Sequence, residues 1–308
     1  MMAKFAYYFL VLPLSYLPLG VLYIFTDFFF LILITVFPYR KMVIEENLKR
    51  SFPNKTQKEI KQLKQQFYLH FCDILAEGIK NLSISKKELQ KRFRVKNPEI
   101  MDDLFSQNKS VILVSGHYNN WEWLISAQSL LFKHQAMGIG MPMTNKFWDK
   151  KINERRMRFG MKVINSKNFK EEIQENSNKP IAILTLADQS PGDSTKAYWT
   201  SFLNQETAVL FGVEQMAHAN DFAVVFFATR KMKRGHYEME LILITDNPRS
   251  LEWGEITEKH LHLLEKEILD KPEFWIWSHK RWKREIPSDI ELLKKEQHAK
   301  FNERFKSI

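Results

Sequence analysis

Val111-Ile-Leu-Val-Ser-Gly-His117-Tyr-Asn-Asn-Trp-Glu122-Trp is a short apolar run, a Gly-His pair and a glutamate five residues after the histidine. The run Val111 to Val114 reads as a buried strand. Gly116 lets the chain leave that strand sharply, and Asn119 or Asn120 can cap a helix starting near Trp121. Leu124 to Phe132 continues as an apolar helix. On a regular helix, residues five apart sit roughly 140° from each other, so His117 and Glu122 would not meet. They can meet only if the histidine lies in the loop and the glutamate in the first helical turn, where a carboxylate is favoured. An imidazole oriented by a buried carboxylate can take a proton from a hydroxyl near neutral pH. The chemistry expected is transfer of a group onto an alcohol, with His117 as base and Glu122 as its partner.

Outward from this stretch, short apolar runs alternate with helical patterns. Strands are expected at Ser110–Ser115, Gln135–Ile139, Lys162–Ile164, Ile181–Ala187, Ala223–Ala228 and Glu238–Ile244. Helices are expected at Trp121–Phe132, Lys146–Phe159, Phe169–Gln174, Val209–Ala219, Thr257–Leu269 and Ile290–Phe305. Between Arg40 and Gln90 the pattern is helical, broken at Ser51-Phe-Pro-Asn. The sum is a βαβ-rich α/β domain behind an apolar lead. No repeat, low-complexity linker or Gly-rich phosphate loop is present, so a nucleotide-binding fold has no support.

The lead is distinctive. Between Lys4 and Arg40 the only ionisable acid is Asp27. Leu19 to Phe37 is about long enough to cross a hydrocarbon core of roughly 30 Å as a helix. Pro13 and Pro18 mark the part before it as a separate amphipathic or interfacial piece. A helical hairpin packed on the domain is the alternative, and either way the protein is expected at a membrane. Arg40, Lys41, Lys49 and Arg50 follow the run and put the bulk of the chain on the cytoplasmic side. The apolar region is too long for a signal peptide and no small-residue cleavage site follows it. Asp27, an acid within an apolar stretch, is a functional candidate by default.

A formal charge of +10 over 308 residues points to anionic partners: nucleic acid, an acidic membrane surface or an acidic carrier protein. The apolar lead disfavours nucleic acid. The single cysteine, Cys72, excludes an internal disulfide and offers no thiolate cluster. His260 and His262 point to different sides of a helix, and there is no His-Glu-x-x-His, so no metal site is expected. A Gly-x-Ser-x-Gly elbow is missing, which disfavours a serine hydrolase.

Three further clusters carry polar chemistry. Arg155, Arg156 and Arg158 fall in the last turn of a helix, either as favourable charges at its C-terminus or as a phosphate or carboxylate clamp. Asp188 and Gln189 stand at the C-terminal end of a buried strand, where ligands of α/β sheets gather; Asp188 as a turn former is the alternative. Trp199 to Thr207 reads as an aromatic loop leading to a helix that Thr207 caps. Trp275-Ile-Trp277-Ser-His279-Lys-Arg281-Trp282 reads as an interfacial anchor, as cation–π packing, or as the wall of an anionic-lipid site.

Taken together these blocks resemble the late acyltransferases of lipid A biosynthesis, the lauroyl/myristoyl transferase family within the glycerolipid and lysophospholipid acyltransferases. The resemblance runs from Leu17-Pro-Leu and Asn47-Leu-Lys-Arg-Ser-Phe-Pro through Gly116-His-Tyr-Asn-Asn-Trp-Glu and Arg158-Phe-Gly. It continues through Ala187-Asp-Gln-Ser-Pro and Phe202-Leu-Asn-Gln-Glu-Thr to Trp277-Ser-His-Lys-Arg-Trp-Lys. It implies a mixed sheet flanked by helices, with a membrane anchor at 1–40 and an acyltransferase domain at 41–308. That domain would face the cytoplasm at the inner membrane. The activity implied is movement of a fatty acyl chain from acyl carrier protein to a hydroxyl of an anionic glycolipid, a lipid A precursor. His117 would be the base and Glu122 its orienting carboxylate. Arg155, Arg156 and Arg158 would hold a substrate phosphate or the carrier's phosphopantetheine, and Asp188 and Gln189 would lie near the acyl or acceptor site. No metal or organic cofactor is implied. Another acceptor lipid for the same chemistry is the alternative, and a non-catalytic lipid binder is the reading from a different class.

Overall fold

The run from Val111 becomes the centre of a mixed sheet. In the computed structural model, which describes residues 2–140, 142–165, 171–173 and 179–306, the strands are β1 (Phe93–Val95), β2 (Val111–Ser115), β3 (Gln135–Gly140), β4 (Lys162–Asn165), β5 (Ile181–Leu186), β8 (Ala223–Lys233) and β9 (His236–Thr245). Their order is β1-β9-β8-β2-β5-β3-β4. Pairs are parallel except β8 with β9, which form a long antiparallel hairpin. Every residue of β2 is buried, as a strand covered on both faces must be. Its side chains alternate between two apolar clusters. Val111 and Leu113 pack toward Trp123 and Leu124, whereas Ile112 and Val114 pack toward Val213, Met216 and Ala217.

The six expected strands are all present, five of them within about two residues of their expected ends, the usual uncertainty of a boundary; β8 runs five residues past Ala228 to Lys233. The helices α8 (Trp121–Leu131), α9 (Lys146–Met157), α11 (Glu255–Asp270) and α12 (Ile290–Phe305) also fall where their periodicity placed them. So do α4 (Lys41–Ser51) and α5 (Gln57–Lys80), the latter opened by a capping box of Thr56 and Glu59. Two short helices, α6 (Lys86–Arg92) and α7 (Glu99–Ser106), bracket β1. Half of the expected helix Phe169–Gln174 lies outside the described residues, and the described half, 171–173, is helical.

Two expectations change. Trp199 to Thr207 is no loop: β6 (Tyr198–Phe202) and β7 (Gln205–Val209) form an antiparallel hairpin. Leu203 and Asn204 both have positive φ (49° and 63°), the geometry of a two-residue hairpin turn. Thr207 therefore sits on a strand, its hydroxyl taking a hydrogen bond from Arg281, and helix α10 starts only at Gly212, running to Asn220.

The second correction concerns the spanning helix. No helix among the described residues is long and apolar enough to cross a membrane. The lead folds as α1 (Met2–Ala6), a π-helical turn (Tyr7–Val11), α2 (Leu12–Tyr16) and α3 (Leu19–Thr35). Pro18 opens α3 and Pro38 follows its end, so it has 17 residues, a length of about 26 Å at 1.5 Å per residue. Leu19, Leu22 and Tyr23 on one face of α3 join the core under the sheet. On its other face Ile24, Phe25 and Phe28 are exposed. Asp27 is accounted for by an ion pair with Arg234 from the β8–β9 turn.

Candidate active site

Strand register brings the site together. Ser115 of β2 lies beside Leu186 of β5, and the pairing continues past the strands: the Ala187 amide donates to the Ser115 carbonyl at 2.9 Å. Two residues beyond each strand, His117 and Asp188 are therefore neighbours. The His117 ring Nδ1 is 2.7 Å from Asp188 Oδ1, and the His117 backbone amide donates to Oδ2 at 2.8 Å. Gly116 makes that approach possible. A Cβ there would meet Leu264 at 2.7 Å and the Asp188 carboxyl at 3.0 Å.

Behind Asp188 stands the tryptophan block. Trp275 Nε1 donates to Asp188 Oδ2 at 2.8 Å, and the Asn119 amide donates to the Phe274 carbonyl at 3.0 Å. Trp275 and Trp277 are fully buried, which corrects the expectation of an interfacial anchor. Trp275 braces the His117 turn instead, bridging to Tyr118 and bonding Asp188. Both asparagines after the histidine are used. Asn119 takes the left-handed conformation (φ 52°) that its side chain tolerates, and Asn120 caps α8 through the Trp123 amide at 2.9 Å.

Burial alone would raise the Asp188 pKa. The His117 charge, both hydrogen bonds from His117 and the Trp275 indole outweigh it and bring it down to about 2. An ionised Asp188 only accepts hydrogen bonds, so the proton of a neutral His117 sits on Nδ1 and the lone pair on Nε2. Gln189 Nε2 is 3.2 Å from that nitrogen. The two residues expected at the strand end thus flank His117 on opposite ring nitrogens. The Trp121 ring meets the imidazole edge to face at 5.1 Å.

Glu122 stands in the first turn of α8, as the sequence implied, but its partners differ. Among the described residues its carboxylate accepts from Arg155 and Arg156. Burial pushes its pKa up, and the two guanidiniums, with a smaller contribution from His117, overcome this and hold it below the usual range. The carboxylate bonded to the histidine is Asp188. Arg158 is turned away, donating to the Leu82 and Ile84 carbonyls. Of the three expected arginines, two share one carboxylate and leave a net positive charge, and Arg156 lines the cavity beside it.

A cavity of about 990 Å³ opens on His117. Its walls include Trp121, Ile125, Met161, Leu184, Val213 and Met216, with Arg156, Gln189 and Arg304 among its polar groups. Gly138 and Gly140 project from the same face of β3 and leave that wall without side chains. A Cβ at Gly138 would meet Met161 Sδ at 3.2 Å, and one at Gly140 would meet Val163 Cγ1 at 3.4 Å. Glycines inside a strand often mark where a ligand approaches the backbone. The result is a mainly apolar chamber lined also by His117 and Arg156.

A family description, "Bacterial lipid A biosynthesis acyltransferase", fits residues 1–284. The chain belongs to that family. It is similar to a lipid A biosynthesis acyltransferase of Haemophilus influenzae, with 25% identity over 247 residues, 76% of this chain and 72% of the relative. It is also similar to a lipid A biosynthesis lauroyltransferase of Escherichia coli, with 20% identity over 249 residues, 79% of each chain. The protein is thus an acyltransferase of this family. What sequence reasoning missed is the bond between His117 and Asp188. One signal was present: both residues follow a buried strand, each two positions past its end. Arg304 was also missed; it lies on α12, beyond the matched residues, and nothing in its local pattern marks it.

Proposed function

We propose that this acyltransferase moves a fatty acyl chain from an acyl carrier protein thioester to a hydroxyl of a lipid A precursor. The observation that carries the proposal is the polarised His117, its Nδ1 held by Asp188 and its ring lining the apolar cavity. His117 Nε2 takes the proton of the acceptor hydroxyl as its oxygen attacks the thioester carbonyl. The tetrahedral intermediate collapses, the C–S bond breaks, and the leaving thiolate takes the proton back from His117. No acyl-enzyme is needed. Asp188 orients the ring and stabilises the imidazolium. Glu122 holds Arg155 and Arg156, and the net cation beside the cavity suits a phosphate of the acceptor or of the carrier's phosphopantetheine.

The acyl chain lies in the apolar chamber, where each buried CH₂ contributes about 0.8 kcal/mol. The exposed apolar face of α3 rests in the membrane interface without crossing it, and the basic surface favours the anionic inner face of the inner membrane. The test is mass spectrometry of lipid A from a deletion strain complemented with wild type or His117→Ala. Loss of one acyl chain, restored only by wild type, is the expected result. Unchanged lipid A with a different lipid class missing would replace the acceptor. Full complementation by His117→Ala would overturn the mechanism.

A further inference from the structure

The reaction proposed above makes no use of Glu77, a fully buried acid in the last turn of α5. Its carboxylate collects three donors from three separate parts of the chain. Oε1 accepts from the Tyr23 hydroxyl of α3 at 2.6 Å. Oε2 accepts from the Tyr237 hydroxyl of β9 at 2.7 Å and from Asn120 Nδ2. Asn120 is the residue that caps α8, three positions after His117. The backbone of Glu77 adds a further tie, since its carbonyl accepts from Trp123 Nε1 at 3.0 Å. One turn on, Asn81 donates to the Glu122 carbonyl at 3.2 Å and to Ser126. Helix α5 is thus a rack for the start of α8, and Glu77 is where the N-terminal helix meets it.

Besides its apolar packing, two polar ties among the described residues hold α3 to the rest of the protein, and they differ in where they lead. At the surface, Arg234 bridges Asp27 of α3 to Asp73 of α5, and Lys231 joins Asp73 at 2.7 Å. That tie runs through the β8–β9 turn to Asp73, one turn before Glu77 on α5, and makes no contact with Asn120. The buried tie through Tyr23 continues to Asn120 and the His117 turn. Tyr23 is itself closely held: the Arg234 guanidinium lies 4.0 Å over its ring, and a Cβ at Gly235 would come within 2.6 Å of its hydroxyl.

We infer that Glu77 is a positioning residue that makes the geometry of the His117 turn depend on the seating of α3. The helix whose outer face is free for lipid thereby fixes, through one carboxylate, the turn that carries the base. A buried acceptor with three donors tolerates little displacement, because moving any one leaves an unpaired polar group in the core.

The experiment measures steady-state transfer from dodecanoyl-acyl carrier protein to an acylated glucosamine disaccharide, using the full chain in detergent. Its activity arm rests on the acyl-transfer reading. Glu77→Gln sets an amide donor against the Asn120 donor. It is expected to lower kcat on the order of 10²-fold, the cost of a misplaced catalytic group, with the donor KM little changed. Glu77→Gln/Asn120→Asp restores the bridge with its polarity reversed and is expected to recover about tenfold of that loss. Tyr23→Phe is expected to lower kcat about tenfold, whereas Asp27→Asn, which weakens the ion pair with Arg234 but keeps the Tyr23–Glu77 hydrogen bond, leaves it near wild type. Wild-type kcat in Glu77→Gln, or no recovery in the double variant, overturns the inference. Where Glu77→Gln does not fold, the other pair decides, and equal losses in Tyr23→Phe and Asp27→Asn overturn it. A second readout separates the two readings: the ¹⁵N-histidine spectrum reports the His117 Nδ1 proton without turnover. Should wild type transfer no acyl group while Glu77→Gln, or Tyr23→Phe where that variant fails to fold, displaces this proton signal, the activity reading fails and the positioning stands. An unmoved signal together with unmoved kcat sinks the positioning alone.

Discussion

Strands β2 and β5, built on Val, Ile and Leu, and helix α3, built on Leu, Ile and Phe, are all strongly apolar and use that character in opposite ways. The strands lie at the centre of the sheet, where apolar layers cover both faces and every residue of β2 is buried. Helix α3 packs one face on the domain and leaves Ile24, Phe25 and Phe28 open on the other. Apolar composition therefore decides burial only together with what is available to cover it. At the strand ends this yields a rigid platform for His117 and Asp188. On α3 it yields an uncovered apolar strip of the kind that marks an interaction face.

If the strand ends are the rigid half, damage there should be the most severe. Asp188→Asn keeps the shape of the side chain but removes the charge that fixes the His117 tautomer and stabilises the imidazolium. The expected loss is about 10²–10⁴ in kcat. Glu122→Gln, whose partners are Arg155 and Arg156, is expected to act more on the KM for the phosphate-bearing substrate than on kcat. Steady-state kinetics of the two variants side by side checks the assignment of roles. An Asp188→Asn enzyme as active as Glu122→Gln would remove Asp188 from the proposed mechanism.

Next in size is the sheet itself. Leu113→Ala opens a cavity between β2 and α8 in a place with no freedom to collapse. It should cost about 2–5 kcal/mol of unfolding free energy, read from urea denaturation. The packed half also hides a group that acid can reach only by unfolding. His260 on α11 is buried beyond solvent, with Nε2 unpartnered among the described residues, and burial lowers its pKa to about 4. Its folded pKa lies below its unfolded value of about 6.5, so the unfolded chain binds more protons between those two values. Stability from this group is complete above pH 6.5 and falls as pH drops toward 4, by up to about 3 kcal/mol. His260→Leu should flatten that limb of a pH series of urea midpoints. A slope unchanged by the substitution would assign the acid sensitivity to other groups.

Most of the architecture was legible because it rests on local pattern. Strand β2, the Asn120 cap, the break between α4 and α5 and the extent of α12 each follow from residues within one or two turns of each other. The site was legible in its members and not in its pairing. His117 and Asp188 are 71 positions apart and meet through the parallel register of β2 and β5, which no short window contains. The β6–β7 hairpin was hidden for a different reason: its turn is Leu203-Asn204, and a leucine at positive φ gives none of the usual turn signal. The length of α3 was misjudged because the apolar run continues through Val36 and Phe37 after the helix has ended.

The smallest effect on stability, and the sharpest test of the contrast between the two regions, belongs to α3. Ile24 and Phe28 lie four residues apart, on one helical face that the domain leaves uncovered. Ile24→Ser/Phe28→Ser removes no packed contact of the core, so unfolding free energy should move by only about 0.5 kcal/mol. Binding to vesicles of anionic phospholipid should respond far more strongly, since burying each of these side chains in lipid contributes about 1.5–3 kcal/mol. Sedimentation with vesicles, set against the urea midpoint of the same variant, separates the two quantities. A large fall in stability with unchanged vesicle binding would mean that the outer face of α3 is covered by protein, and the contrast with the sheet would disappear.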